Sequence, residues 1–77
     1  MKKIQILGTG CAKCRQLAEN AQKAVDELAV EAQIEKVTQI NDIMQMGVMI
    51  TPALAIDGVV KVAGKVASPD DIKKLIQ

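Results

Sequence analysis

Cys11 and Cys14 are the only thiols of the chain, and two residues separate them. Thiols at that spacing can cycle between dithiol and disulfide, clip a soft metal ion, or simply fill space as two small apolar residues. The chain has no histidine, which removes any Ser–His or Cys–His catalytic pair and every imidazole metal ligand. The available chemistry therefore rests on thiols, carboxylates and lysines. A closed structural zinc site needs four ligands, so two thiols would need a second copy of the chain.

The setting of the pair favours redox exchange. The apolar stretch Lys3–Leu7 reads as a strand, is stopped by Gly8-Thr9-Gly10, and is followed by a helix over residues 12–29. Cys11 then falls at a helix start, where free N–H groups and about half a positive charge stabilise a thiolate. Lys13 and Arg15 add positive charge there. Cys14 lies in line with the apolar stripe that continues through Leu17 and Ala18, so it is expected to be the more buried sulfur. An exposed attacking thiol and a buried resolving thiol are what a dithiol exchanger needs. The metal reading is the alternative: small heavy-metal chaperones also place C-x-x-C after a strand and a glycine-rich turn, and two thiolates can hold Cu(I). Those domains run β-α-β-β-α-β and usually carry Met where this chain has Thr9. The "GTG" segment is no phosphate loop, because Lys13 stands where G-x-G-x-x-G needs its third glycine and no G-K-[ST] occurs. It reads as a tight turn that gives the backbone freedom near the thiols.

The elements that must hold the pair follow from periodicity. In the first helix Leu17, Ala21, Ala24, Val25 and Leu28 form one stripe, with a Glu19–Lys23 pair on the outer face. Glu31–Val37 partly alternates and reads as a second strand. Thr38 is positioned to cap a short helix over residues 39–46, with Ile40, Ile43 and Met44 inward and Gly47 ending it. Met44, Met46 and Met49 read as core filler rather than copper ligands. Ala53–Ile56 and Val59–Ala63 are two strands joined by Asp57-Gly58, a type I′ hairpin signal. Ser68 caps a last helix that has Pro69 in its first position, Asp70 and Asp71 at its positive end and Lys73 and Lys74 towards its negative end. Its apolar face is Ile72, Leu75 and Ile76. The order β-α-β-α-β-β-α predicts a four-stranded mixed sheet with a right-handed parallel crossover first and helices on both faces.

Composition bounds the rest. Seventy-seven residues make one small domain, 49% apolar and without Phe, Tyr or Trp, so Ile, Val, Leu, Ala and Met must build the core. A net charge of +1 with interspersed signs, and no aromatics, argues against a nucleic-acid partner. No apolar run reaches membrane-spanning length, and the one in "MKKIQIL" is too short for a signal-peptide core. A monomeric protein of the cytoplasm is expected, where close cysteine pairs are more often catalytic or metal-binding than structural.

With Cys11-Ala12-Lys13-Cys14, Gly47-Val48, Thr51-Pro52 leading into Ala53–Ile56, the Asp57-Gly58 turn and Val62-Ala63-Gly64 in place, the chain resembles the thioredoxin superfamily. It is most similar to the small, glutaredoxin-sized archaeal and bacterial members, over nearly its whole length. The resemblance implies a minimal thioredoxin-like fold and a thiol–disulfide oxidoreductase with no bound cofactor. Its partners would be disulfide-bearing target proteins and a thioredoxin-reductase-type reductant. It also implies that Cys11 attacks and Cys14 resolves, while the thiolate-favouring part of Lys13 rests on its charge at the helix start. Pro52 would be the family's cis-proline against the disulfide, with Ile50, Thr51 and Gly64 bordering the groove for a substrate chain. Compared with full thioredoxins the chain would lack an N-terminal strand and helix, and it has Gly10 for the motif's Trp, Lys13 for its Pro and Gln5 for the buried acid of the first strand.

Overall fold

A computed structural model describes residues 2–10 and 12–76. The elements run β1 (Lys2–Leu7), α1 (Ala12–Leu28), β2 (Ala32–Val37), α2 (Ile40–Gln45), β3 (Ala53–Ile56), β4 (Val59–Ala63) and α3 (Pro69–Ile76). This is the β-α-β-α-β-β-α order that the periodicities predict, and it forms one mixed sheet in the order β2-β1-β3-β4. β1 and β2 are parallel, from Lys2 opposite Ala32 to Leu7 opposite Val37, with α1 as the crossover. β1–β3 and β3–β4 are antiparallel. Asp57 (φ 51°) and Gly58 (φ 86°) both take the left-handed conformation that the two-residue hairpin turn requires. Lys61 has no partner in the β3–β4 register, and this bulge with its charged residue blunts the β4 edge.

Side chains alternate across a strand, so each strand feeds two cores. Ile4, Ile6, Leu54, Ile56 and Val62 point to one face, where they pack with Leu17, Ala21, Ala24 and Val25 of α1 and Ile72 and Ile76 of α3. Leu7, Val37, Ala53 and Ala55 point to the other, against Ile43 of α2 and Val48. Both helical faces thus exist as expected, but α2 is only six residues long, about 9 Å. It cannot cover strands twice that length. The uncovered part of its face is polar: Gln5 Nε2 donates to Glu35 Oε1 (3.2 Å), and Lys3 Nζ stands 3.5 Å from Glu35 Oε2.

Several local expectations need correction. Thr38 does not cap α2; Gln39 takes the N-cap position and no side chain caps it. Of the three residues expected inward on α2, only Ile43 is buried, while Ile40 and Met44 are 62% and 61% exposed. Met49 is 91% exposed, so neither it nor Met44 is core filler; Met46 alone packs partly against the smaller core. A short helix lying over the end of a sheet has one buried residue per turn, and the others face water. Glu19 and Lys23 form no ion pair; α1 instead carries the i,i+4 hydrogen bonds Gln16–Asn20 and Gln22–Asp26. The helix ends at Leu28 because Ala29 turns left-handed (φ 54°), a position that glycine more often fills. At α3, Ser68 Oγ accepts the Asp71 N–H at 3.2 Å, the expected cap.

Candidate active site around Cys14

The C-terminal end of β1 sets the site. Gly8 continues the sheet beyond Leu7, its N–H donating to the Val37 carbonyl at 3.0 Å. A Cβ built on Gly8 would overlap Cys14 Sγ, lie 3.1 Å from Cys14 Cβ and 4.0 Å from Thr51 Cβ. Gly8 is therefore glycine for want of space: the absent side chain lets the first turn of α1 lower Cys14 onto the strand end and lets Thr51 approach from the other side. Gly10 is glycine for a different reason, its φ of +94° with nothing within 4 Å of a Cβ. The backbone freedom read from "GTG" belongs to Gly10; the role of Gly8 is steric and was not legible from spacing alone.

Cys14 is 5% exposed, as its place on the apolar stripe predicts. Cys11 lies outside the described residues. Lys13 is exposed on the first turn of α1 and has no ion-pair partner among the described residues. A small pocket of about 60 Å³ opens on Cys14, lined also by Ile6, Gly8, Gly10, Arg15, Lys36 and Thr38.

On the far side of Gly8, the segment from Gly47 (φ +81°) to Pro52 returns the chain to the sheet. Val48 is buried, while Met49, Ile50 and Thr51 are exposed and Pro52 is buried again. The Thr51–Pro52 peptide bond is cis. The Pro52 carbonyl accepts the Gly64 N–H at 2.8 Å. Gly64 combines a φ of +79° with close quarters, since a Cβ there would stand 2.9 Å from Ile50 Cγ2. Ile50, Thr51, Pro52 and Gly64 are thus brought together, and Thr51 Cβ stands 4.0 Å from where a Gly8 Cβ would be. Among the described residues no group of three or more His, Cys, Asp and Glu side chains could hold a metal ion.

Asn20 was missed from the sequence. It is the buried polar residue of α1, accepting from Gln16 Nε2 (3.0 Å) and donating to the Ala67 carbonyl (2.9 Å), which ties α1 to the approach of α3. Its signal was present: a polar residue beside Leu17 and Ala21 on the apolar stripe.

The thioredoxin-domain family model matches residues 2–77. The chain belongs to the thioredoxin family. It is 47% identical over 76 residues to a thioredoxin of Methanothermobacter thermautotrophicus, covering 99% of both chains. With a thioredoxin of Methanocaldococcus jannaschii the identity is 48% over 71 residues, 92% of this chain and 81% of that one. The protein is accordingly a thiol–disulfide oxidoreductase with the thioredoxin-like fold, and its partners are disulfide-bearing proteins and a reductase. Among the described residues no helix is long and apolar enough to cross a membrane.

Proposed function

We propose that Cys11 and Cys14 are the redox couple and that each has a fixed part in the exchange. The Cys11 thiolate attacks a partner disulfide, forms a mixed disulfide and releases one partner thiolate. Cys14 then gives up its proton and attacks the Cys11 sulfur, which frees the second partner thiol and leaves the Cys11–Cys14 disulfide. A reductase of the thioredoxin-reductase type restores the dithiol with two electrons and two protons. Lys13 favours the Cys11 thiolate through its charge. An extended segment of the target lies along Ile50, Thr51 and Gly64, with Thr51 offering backbone groups and Pro52 an apolar ring without an N–H. Residues 1–77 act as one domain, one copy at a time, in the cytoplasm, without a bound cofactor.

The observation that supports this assignment most is that Cys14 and Thr51 both approach Gly8, within 4.0 Å of where its Cβ would stand. A buried sulfur on the same glycine as Thr51 supports a resolving role for Cys14 beside a target chain at Thr51. Trapping tests it. Cys14→Ser should accumulate mixed disulfides through Cys11 by at least about tenfold over wild type, because the resolving sulfur is gone. Cys11→Ser should accumulate none. Capture by neither variant, together with tight Cu(I) retention by the wild type through desalting, would move the two thiols to soft-metal binding.

A further inference from the structure

Three of the chain's four methionines, Met44, Met46 and Met49, fall in one short segment, and the structure treats them unequally. Met46 packs partly against the smaller core, whereas Met44 is 61% exposed and Met49 91%. The end of α2 makes the two exposed ones neighbours. The Gly47 N–H donates to the Met44 carbonyl at 2.9 Å and the Val48 N–H to the Ile43 carbonyl at 3.4 Å, so the chain folds back on the helix. Met44 and Met49 then line one apolar groove of about 230 Å³ with Ile40, Ile43 and Val48. Met49 is the chain neighbour of Ile50, and Ile50 leans on Gly64, where a Cβ would stand 2.9 Å from Ile50 Cγ2. One wall of the groove is therefore the residue next to the stretch proposed above to receive a target chain.

A thioether in water is open to peroxide, and oxidation turns a flexible apolar side chain into a polar one; a packed thioether is shielded. We propose that Met49, with Met44 beside it, is a site of reversible oxidation by hydrogen peroxide, and that the sulfoxide weakens exchange with protein disulfides. The second half rests on the target groove proposed above. The step balances. The peroxide O–O bond breaks, a sulfur–oxygen bond forms, the thioether gives up two electrons, and the second peroxide oxygen leaves as water. A methionine sulfoxide reductase restores the thioether with two electrons and two protons, and the oxygen leaves as water. The sulfoxide oxygen accepts hydrogen bonds from water, so an apolar side chain of a target covers it only at a desolvation cost. Met46 is the internal control, because the same segment holds it against the smaller core.

The test starts from the protein with Cys11 and Cys14 joined as the disulfide, so that peroxide finds no thiol. Timed exposure to hydrogen peroxide and peptide mapping should show sulfoxide first at Met49, then at Met44, with Met46 at least about fivefold slower. With the dithiol restored, the treated protein should reduce insulin about fivefold more slowly than the untreated one. Bis(2-hydroxyethyl) disulfide, too small to span from the thiols to the groove, should stay within about twofold. Met44→Leu/Met49→Leu keeps the apolar bulk without the sulfur, so peroxide should not change its insulin rate from its own untreated value. Oxidation of Met46 as fast as Met49 would overturn the proposal. So would sulfoxide at Met49 without a loss on insulin, an equal loss on both substrates, or an equal loss in the double variant. If the untreated protein reduces neither disulfide, the dithiol reading fails, and the oxidation site stands or falls on the peptide map alone.

Discussion

On one face of the sheet, α1 and α3 close a continuous core that runs from Ile4 and Leu17 to Ile72 and Ile76; on the other, α2 covers only the end near Leu7 and Ala53. The first face holds Cys14, because the stripe that buries Leu17 and Ala21 also lowers Cys14 onto Gly8. The second holds the segment that carries Ile50, Thr51 and Pro52, anchored mainly by Val48 and Ile43. The two halves of the site thus hang from cores of unequal extent. The sulfur is fixed by the larger one, and the exposed Met49 and Ile50 project from the smaller, beside a groove of about 230 Å³ lined by Ile40, Ile43, Met44, Val48 and Met49.

Truncation should expose the inequality. Leu17 is 0% exposed within the larger core, and Leu17→Ala should destabilise the protein by about 3–4 kcal/mol. Ile43 is 5% exposed but borders the open groove, whose side chains can relax into the vacancy, so Ile43→Ala should lose only about 2 kcal/mol. Urea denaturation of both variants reads the difference. Equal losses would mean that α2 closes its face as tightly as α1 closes the other.

The two glycines at the end of β1 sharpen the comparison at the point where the halves meet. Gly8→Ala places a methyl on Cys14 Sγ and should destabilise by about 1–3 kcal/mol, the usual range for overpacking. It should also displace the sulfur, so that mixed disulfides with a model peptide resolve about tenfold more slowly, the rate change of a 1.4 kcal/mol barrier. Gly10→Ala touches nothing but takes a φ of +94°, so it should destabilise by about 1–2 kcal/mol and leave resolution unaltered. If both slow resolution equally, the contact between Gly8 and Cys14 is not what positions the sulfur.

The larger face was legible in the sequence and the smaller one was not, for a physical reason. Seventeen residues of α1 repeat their apolar stripe often enough for its period to be unmistakable, and it predicted the burial of Cys14. Six residues of α2 offer fewer than two turns, so Ile40 and Met44 looked as inward as Ile43 although only Ile43 meets the sheet. The hairpin was legible because Asp57-Gly58 has one dominant use. Steric roles were not: the need for glycine at position 8 arises from Cys14 and Thr51, which are distant in sequence, and the same holds for the Asn20 bond to Ala67.

The smallest effect expected lies on the well-closed face, where α3 is tied to α1 from outside. Lys73 Nζ is 2.6 Å from Glu27 Oε2 and 3.4 Å from Asp70 Oδ1. Its pKa is raised above the ordinary 10.5, chiefly by the hydrogen bond to Glu27, with desolvation opposing and Asp70 assisting. A group raised in the folded state stabilises fully below its unfolded value, and that stabilisation disappears as pH rises through the folded value. Lys73→Met keeps most of the apolar stem and removes the charge. At pH 7 it should lower Tm by only about 1–2 °C, since an ion pair open to solvent contributes little. The gap should stay constant through the neutral range and close above about pH 10.5, as the wild-type amine loses its proton. Thermal melts of both proteins across that range decide the matter. A gap that persists in strong alkali would mean that the Lys73 stem, packed between α1 and α3, matters more than its charge; the larger core would then extend to the surface of that face.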